Sequence, residues 1–387
     1  MTSTSCSEIA RDLLERAIHG ETLAELPPAL AEDASGQALF GILAEGLADR
    51  FEPALCEVYA DLFAPVIPGA DPGRYRRVRR PRAIATEPRT VFVLSRVTLG
   101  ADVAVTSVLL DAAKRRFPRA HVVLVGPAKN YELFAADPRV AHAAVAYRRG
   151  SLGERLAVRQ ELEELLAAPD AITVDSDSRL TQLGLLPVCP EERYHLFESR
   201  AYGGDTDCAL PQLAAAWAEE TFGITGAKPY IALANAPAHH GVIAVSLGVG
   251  ENPAKRLPDP FEERLLALLA ESGLEIFIDK GAGGEEAERV LRAAERSSAK
   301  ATFWEGSFAG FAAIIAASRL YVGYDSAGQH VAAAAGVPLV SIFAGFPALR
   351  MFHRWRPGGE RAAVIRVDQP DVASTLARVR EALPTLL

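Results

Sequence analysis

The stretch YVGYDSAGQHVAAAAGVPLVSIF, at residues 321–343, decides the fold of the second half of this chain. Its pattern predicts a buried strand, a tight polar turn, a short helix of small residues and a second buried strand. The turn lies where a helix begins, so unpaired main-chain N–H groups and the positive end of the helix dipole face the same way. Such a helix start is suited to bind a phosphate or diphosphate. The turn consists of Asp325, Ser326, Ala327, Gly328, Gln329 and His330.

Ordinary helix capping is the alternative interpretation of this turn, because Asp and Ser are frequent N-cap residues. In the functional interpretation, Asp325 accepts a hydrogen bond from a ligand hydroxyl, and His330 lies in the first helical turns. The turn alone favours capping, since short motifs often match by chance. The rest of the chain has to decide between the two.

A second strand running into glycines precedes this stretch. The segment GVIAVSLGVG, at residues 241–250, ends in Gly248 and Gly250, and a loop with Lys255 and Arg256 follows. Cations beside a glycine-rich strand end can neutralise a diphosphate. The alternative is a solvated basic pair.

Two further turns between these segments are candidates for ligand binding. LEIFIDKGAGGEEAERVLRAAE, at residues 274–295, is a strand, a glycine turn and a helix. Glu285 or Glu286 at that helix start can bind ribose hydroxyls, or only favour the helix dipole. Ser307 follows the next strand, at a turn that opens an apolar helix.

The first half of the chain begins its own α/β alternation near residue 90. TVFVLSRVT is a strand, LGAD at residues 99–102 is a turn, and a helix and the strand HVVLVG follow. Asp102 therefore lies at the carboxyl end of a strand, where it can take a proton from a hydroxyl or can cap the next helix. Arg96, Arg179 and Arg200 also lie at or beyond strand ends and are candidates for ligand binding. Structural ion pairs are the more common use of such arginines.

Residues 7–65 carry helix-period apolar patterns without a strand-like run, which predicts about three helices. The basic run RYRRVRRPR at residues 74–82 follows. It is either a patch for anionic lipid or saccharide, with peripheral membrane contact, or a solvated linker, and the linker is favoured. We expect a helical appendage with this linker at residues 1–85 and two α/β domains, at residues 88–226 and 227–387.

Composition excludes several classes of function. A net charge of −8 over 387 residues argues against a nucleic-acid partner. The four cysteines lack CxxC spacing, and the adjacent His239 and His240 lack a nearby carboxylate or cysteine at ligand spacing, so we expect no metal and no cofactor. Since we find neither a signal peptide nor an apolar run of about 20 residues, we expect a cytoplasmic protein, with the inner face of the membrane as a further location.

From about residue 90 onward the chain resembles glycosyltransferase family 9, the bacterial heptosyltransferases of lipopolysaccharide core assembly. LGADVAVTSVLLDAAKRRFP is similar to the family pattern Leu-Gly-Asp followed by a helix ending in Lys-Arg-Arg-x-Pro. DSAGQHVAAAAGVPLVSIF resembles Asp-Ser/Thr-Gly-Pro-x-His with its alanine-rich helix. SLGVGENPAKRLP and GSFAGFAAIIAASRLYVGYDS resemble two segments between them.

The resemblance implies the GT-B architecture, two Rossmann-like doubly wound domains facing a cleft, here with an N-terminal helical appendage. Residues 88–226 would be the acceptor domain, in which Arg96, Arg179 and Arg200 would bind the acceptor, and residues 227–387 would be the nucleotide-sugar domain. It also implies an inverting, metal-independent transfer of a sugar from a nucleoside-diphosphate donor, with ADP-heptose favoured, to a hydroxyl of a glycan or lipid-linked acceptor. Asp102 would be the general base. Lys255, Ser326, Ala327 and Gly328 would hold the diphosphate, and Asp325 and His330 would shape the same pocket.

The sequence departs from the family pattern at three points. Ala101 is an extra residue between Gly100 and Asp102, Ala327-Gly328 replaces Gly-Pro, and Leu257 replaces a tryptophan. These changes bear on the position of the base and on the identity of the sugar. The alternatives are a transferase or epimerase for another nucleotide-sugar, and a non-catalytic glycan-binding or scaffold protein.

Overall fold

The computed structural model of the chain describes residues 5–234, 239–250, 252–281 and 283–387. The chain divides into two compact units. Unit 1 comprises Met1–Thr98, Val105–Tyr131 and Pro138–Lys228, and unit 2 comprises Leu99–Ala104, Glu132–Asp137 and Pro229–Leu387. The predicted division into three domains stays a prediction; unit 1 holds both the N-terminal helices and the first sheet.

Unit 1 contains a five-stranded parallel sheet in the order β3-β2-β1-β4-β5. Its strands are β1 (Thr90–Leu94), β2 (His121–Gly126), β3 (Val140–Ala144), β4 (Ala171–Asp175) and β5 (Tyr194–Leu196). The β-branched, nearly continuous apolar run of β1 suits a strand that is buried on both faces. This strand order is that of a doubly wound sheet, with its switch point between β1 and β4.

The N-terminal helices cover one face of this sheet. They are α1 (Cys6–Ile18), α2 (Pro28–Ala31), α3 (Glu45–Ala48), α4 (Pro53–Phe63) and α5 (Pro72–Val78), with a π-helix at Gln37–Ala44. Phe92 and Leu94 of β1, with Val125 as the register partner of Leu94 on β2, belong to the same hydrophobic core as Leu43 and Phe63 of these helices. The predicted helical N-terminal region is confirmed, and it is a structural layer of unit 1.

The other face of the first sheet is covered by helices from within the α/β part. The helices of this part are α6 (Leu99–Ala101), α7 (Ser107–Arg116), α8 (Ala128–Tyr131), α9 (Leu152–Leu156), α10 (Arg159–Leu165) and α11 (Leu210–Phe222). Helix α7 contacts β1, β2 and α11. The pattern at residues 152–168 predicts one helix, but the structure has two short ones, α9 and α10.

The basic run at residues 74–82 joins the N-terminal helices to the sheet. Helix α5 contains its first half, and Arg74 lies over the ring of Tyr194 at 4.9 Å. The other pairs are Arg76 with Glu57 and Asp61, Arg77 with Glu191, and Arg82 with the main-chain oxygens of Glu191 and Tyr194. The run is therefore not a solvated linker, because its cations are used in contacts within unit 1.

Unit 2 contains a six-stranded parallel sheet in the order β11-β10-β9-β6-β7-β8. The strands are β6 (Ile243–Ser246), β7 (Ile276–Asp279), β8 (Ala301–Trp304), β9 (Leu320–Tyr324), β10 (Leu339–Phe343) and β11 (Ala362–Arg366). The helices are α12 (Phe261–Ala270), α13 (Gly284–Ser297), α14 (Phe308–Ala317), α15 (Ala327–Ala335), α16 (Leu349–Trp355) and α17 (Val372–Leu386). The order reverses between β6 and β9, so this sheet too is doubly wound.

None of the helices in the described residues has both the length and the apolar character that are needed to span a membrane.

Candidate functional site

The switch point of the second sheet brings two distant segments together. Strands β6 and β9 are neighbours, and Ser246 pairs with Gly323 at their carboxyl ends. The loop that follows β6 carries Lys255, and the turn that follows β9 carries Asp325. Doubly wound sheets bind their ligands at this position.

Lys255 and Asp325 form the centre of this candidate site. Nζ of Lys255 donates to Oδ2 of Asp325 at 2.7 Å and to its main-chain oxygen at 3.2 Å. The Asp325 side chain is only 7% exposed. The ion pair therefore fixes a cation on the turn that opens α15.

Gln329 holds the other side of the same carboxylate. Its Nε2 donates to Oδ1 of Asp325, and its Oε1 accepts a hydrogen bond from Oγ of Ser341 on β10. Sequence reasoning assigned no role to Gln329. Its spacing of four residues from Asp325 could have indicated this contact, since residues i and i+4 of a helical turn are neighbours.

The start of α15 lacks a side-chain cap. Ser326 is the N-cap residue, but its side chain makes no capping hydrogen bond. Its Oγ lies 3.3 Å from the hydroxyl of Tyr321 instead. The capping alternative is therefore wrong for the side chain of Ser326, and the first amides of the helix, at Ala327 and Gly328, receive no hydrogen bond from it.

Two glycines allow the close packing of this site. A Cβ at Gly328 would overlap the ring of Tyr321. Gly345 has a φ of +67°, and a Cβ there would overlap the main chain of Ala254, next to Lys255. The Lys255 loop and the start of α15 are thus held by contacts that side chains would prevent.

His330 is buried beneath the turn as a neutral imidazole. Burial lowers its pKa to about 4, although the charge of Asp325 acts in the opposite direction. Its ring centroid lies 5.7 Å from that of Trp355, edge to face. A group in this state can pack and accept a hydrogen bond, but it supplies no positive charge at neutral pH.

Glu286 reaches the glycine turn after β6. Its Oε2 accepts a hydrogen bond from the main-chain nitrogen of Val249 at 3.0 Å, between Gly248 and Gly250. Glu285 also lies in the first turn of α13 and is exposed. Of the two glutamates, Glu286 is the one that contacts the predicted diphosphate loop.

Arg256 and Ser307 have partners within unit 2. Arg256 pairs with Asp259 and, at 3.2 Å, with Oε1 of the buried Glu262. Ser307 is the N-cap of α14, where its Oγ accepts from the nitrogen of Gly310 at 3.2 Å. Their donor-binding role stays a prediction, and Arg256 does not belong to a solvated basic pair, because it pairs with the buried Glu262.

Asp102 lies in a segment that packs on α15. Leu99–Ala104 belongs to unit 2, and a Cβ at Gly100 would lie 3.0 Å from Cα of Ala327 and 3.1 Å from Cδ2 of His330. The helix begins at Leu99, so Asp102 is not its N-cap and that alternative is wrong. Asp102 is fully buried.

The extra residue Ala101 precedes a change in helix type. Asp102–Thr106 is a π-helix, set between α6 and α7 in one continuous helical segment. A π turn contains one more residue than an α turn and often occurs at functional sites. Beyond this turn, α7 contacts β1 and β2 of the sheet.

The three candidate acceptor arginines are all ion-paired. Arg96 donates to Asp177 at 3.5 Å and to the main-chain oxygen of Ser176 at 2.7 Å, and Arg200 pairs with the same buried Asp177. Arg179 pairs with Glu45 at 3.1 Å. Arg96 and Arg200 thus fit the structural alternative, whereas Arg179 lies at the surface.

Metal ligands do not converge in the described residues. No group of three or more His, Cys, Asp or Glu side chains in residues 5–234, 239–250, 252–281 and 283–387 is arranged to hold an ion. The ring of His239 packs 4.6 Å from that of Phe277.

Comparison with known families finds a match for part of the chain. Residues 194–380 match the model of "Glycosyltransferase family 9 (heptosyltransferase)". A curated relative, lipopolysaccharide heptosyltransferase 1 of Escherichia coli (strain K12), is 32% identical over 111 residues, which are 29% of this chain and 34% of that protein. The match thus spans about a third of the length of the curated relative.

Solved structures match over a larger part of the chain. E. coli heptosyltransferase WaaC with ADP has a TM-score of 0.58 at 20% identity and covers 77% of this chain and 100% of its own. E. coli ADP-heptose lps heptosyltransferase II has a TM-score of 0.53 at 20% identity and covers 77% of this chain and 98% of its own. These likenesses confirm the predicted GT-B fold class, with two Rossmann-like parts and an N-terminal helical region.

Proposed function

We propose that this chain moves a sugar from a nucleoside-diphosphate donor to a hydroxyl of a cell-surface glycan, because residues 194–380 match the model of glycosyltransferase family 9. The solved relatives are named for ADP and ADP-heptose, which supports ADP-heptose as the donor. The curated relative is named for lipopolysaccharide, which supports a core-type saccharide as the acceptor.

The diphosphate of the donor binds at the start of α15. The amides of Ala327 and Gly328 donate to its oxygens, and Lys255 turns from Asp325 towards the new negative charge. Departure of the nucleoside diphosphate concentrates charge on these oxygens, so preorganised donors stabilise the transition state. In this proposal the lysine and the amides stabilise the leaving diphosphate, and no metal ion takes part.

Asp102 is the general base of the proposed reaction. The acceptor hydroxyl oxygen attacks the anomeric carbon, the bond from that carbon to the diphosphate breaks, and the hydroxyl proton passes to the Asp102 carboxylate. A single displacement of this kind inverts the anomeric configuration. The observation that carries the assignment is the packing of Gly100, two residues before Asp102, against Ala327 and His330.

A second candidate function is glycan binding without transfer. Its support is the complete burial of Asp102, since a base has to reach the substrate proton during the reaction. A transfer assay separates the two candidates.

The experiment measures ADP release from ADP-heptose with lipopolysaccharide core acceptors, for the wild type, Asp102→Asn and Asp111→Asn. Asp111 lies on α7, in the same helical segment, and pairs with Arg115, so it is the matched control. We expect Asp102→Asn to lower kcat by about 10²- to 10⁴-fold with an unchanged Kd for ADP, and Asp111→Asn to stay near wild type. Undiminished transfer by Asp102→Asn would place the base elsewhere. Binding of ADP without transfer by the wild type would favour the second candidate.

A further inference from the structure

Glu262 is a buried glutamate in the first turn of α12, within unit 2. Its side chain is only 2% exposed. The buried Leu265, Leu266 and Leu269 follow at helical spacing, so Glu262 lies on the apolar face of this helix. Packing alone would favour an apolar residue here, because a buried ion pair is often no more stabilising than apolar side chains of similar volume. The charge at this position therefore indicates a role other than packing.

Three side chains donate to one oxygen of this carboxylate. Oε1 of Glu262 accepts a hydrogen bond from Nε of Arg256 at 3.2 Å and another from Nη1 of Arg289. The hydroxyl of Tyr324, at the end of β9, donates to the same oxygen at 3.2 Å. Burial raises the pKa of Tyr324, and the charge of Glu262 raises it further, so the hydroxyl keeps its proton. The two arginines neutralise the buried carboxylate, and these four residues form the Glu262 network.

The Glu262 network holds the two residues that follow Lys255 in the Lys255 loop, residues 252–257. Arg256 contacts Glu262 directly. The main-chain nitrogen of Leu257 donates to the hydroxyl of Tyr324 at 3.3 Å, and the Leu257 side chain is fully buried. These contacts fix the main chain next to Lys255, from which its side chain reaches the turn before α15.

The same network reaches the glycine turn after β6, residues 247–250, through α13. Nη2 of Arg289 donates to the main-chain oxygen of Leu247 at 2.9 Å. Glu286, three residues earlier on α13, accepts from the main-chain nitrogen of Val249. Helix α13 thus holds the glycine turn at two points, and Glu262 connects that helix to the Lys255 loop.

We propose that Glu262 is a positioning residue that fixes the Lys255 loop relative to the glycine turn, acting through its partners rather than on the ligand. Arg256 and Tyr324 carry its effect to the loop, and Arg289 carries it to the turn. The network thereby sets the direction from which Lys255 approaches the diphosphate. This effect on donor binding rests on the proposed function, whereas the anchoring of the two segments does not require a ligand.

The first test measures hydrogen exchange by mass spectrometry on the unliganded full chain. Tyr324→Phe keeps the ring, which is fully buried, and removes only the hydroxyl. We expect the Leu257 amide to exchange about threefold to tenfold faster, the effect of one lost neutral hydrogen bond, with unchanged exchange in the glycine turn. Glu262→Gln should accelerate exchange in both the Lys255 loop and the glycine turn.

Tyr230→Phe is the matched control for the lost hydroxyl. The hydroxyl of Tyr230 donates to Asp137 at 2.9 Å elsewhere in unit 2, so this variant should keep wild-type exchange in both segments. The amides of β9 and β10 report whether the sheet stays intact. An unchanged Leu257 amide in Tyr324→Phe, wild-type exchange of both segments in Glu262→Gln, or an acceleration spread evenly over unit 2 would overturn the proposal.

A double-mutant cycle tests the effect on donor binding. Isothermal titration calorimetry gives the Kd for ADP of the wild type, Tyr324→Phe, Lys255→Gln and the double variant. Tyr324→Phe should weaken binding about threefold or more in the wild type and not further in Lys255→Gln, because residues that act together are not additive. Independent effects of the two changes would show that Tyr324 does not position Lys255. A wild type that does not bind ADP would contradict the proposed function, whereas the exchange measurement decides the anchoring without a ligand.

Discussion

At the scale of single residues, the account depends on the ion pair between Lys255 and Asp325. In the unliganded chain the cation is neutralised by Asp325 at 2.7 Å, so a diphosphate has to compete for it. Both residue types could be predicted as binding groups from the sequence. Their contact could not be read from spacing along the chain; it follows from the neighbouring positions of β6 and β9 in the sheet.

Lys255→Gln should weaken ADP binding about 10- to 100-fold, because a charge-assisted hydrogen bond contributes about 1.5–3 kcal/mol. Isothermal titration calorimetry measures the Kd directly. Lys300→Gln, an exposed lysine of the same unit, is the control and should bind as wild type. An unchanged Kd in Lys255→Gln would remove this residue from the donor site.

The low pKa of His330 predicts that the free energy of unfolding depends on pH. Its pKa is about 4 in the folded chain, and the ordinary value is 6.5, so the folded state binds fewer protons between these values. The stability that it contributes is complete above pH 6.5 and is lost as the pH falls towards 4, by about 3 kcal/mol in total. His330→Gln should therefore lose less stability than wild type over this window.

Urea unfolding at pH 7, 6, 5 and 4 measures this difference. His195 has a similarly low pKa because of burial, and burial raises that of Glu198 to about 7. The contribution of Glu198 to stability changes with pH in the opposite direction, since it is present below pH 4.5 and is lost as the pH rises to 7. Both residues are unchanged in the variant, so the difference isolates His330. Parallel pH curves for the two proteins would contradict the assignment.

At the scale of elements, the start of α15 is approached by the segment that carries Asp102. Gly100 allows this contact, since a Cβ there would lie 3.0 Å from Cα of Ala327. The sequence predicted both elements, but their contact depends on long-range packing that local patterns do not encode. The π-helical turn after Ala101 was also not predictable from local patterns, because only the comparison with the family motif marks the insertion.

Gly100→Val should force these two segments apart. We expect a kcat lower by about tenfold or more, as a misplacement of about 1 Å at a reacting group can lower the rate about 100-fold. The Kd for ADP should change less, since Lys255 and the amides stay in place. Gly153→Val, at a glycine with open space around it, is the control. Wild-type kcat in Gly100→Val would show that this contact does not position the base.

At the scale of the whole molecule, the two doubly wound sheets follow from the alternation of strands and helices in the sequence. The helix-period pattern at residues 7–65 predicted the N-terminal helices, but it did not indicate which surface their apolar faces cover. Those faces pack in the same hydrophobic core as Phe92, Leu94 and neighbouring side chains of the first sheet. This applies to the described residues of unit 1.

Removal of residues 1–85 should therefore unfold unit 1 or make it aggregate, because the apolar face of β1 and its neighbours becomes exposed to water. Removal of residues 1–4 is the control and should leave the protein folded. Near-UV circular dichroism and size-exclusion chromatography distinguish the outcomes. A monomeric, natively packed protein that begins at residue 86 would show that the N-terminal helices are a dispensable appendage.

The central claim is that the start of α15, with Lys255, binds the diphosphate of the donor. A crystal structure of the full chain with ADP tests it most directly. We expect the diphosphate oxygens within hydrogen-bond distance of the main-chain nitrogens of Ala327 and Gly328 and of Nζ of Lys255. An ordered ADP whose diphosphate lies away from residues 325–330 would contradict the claim.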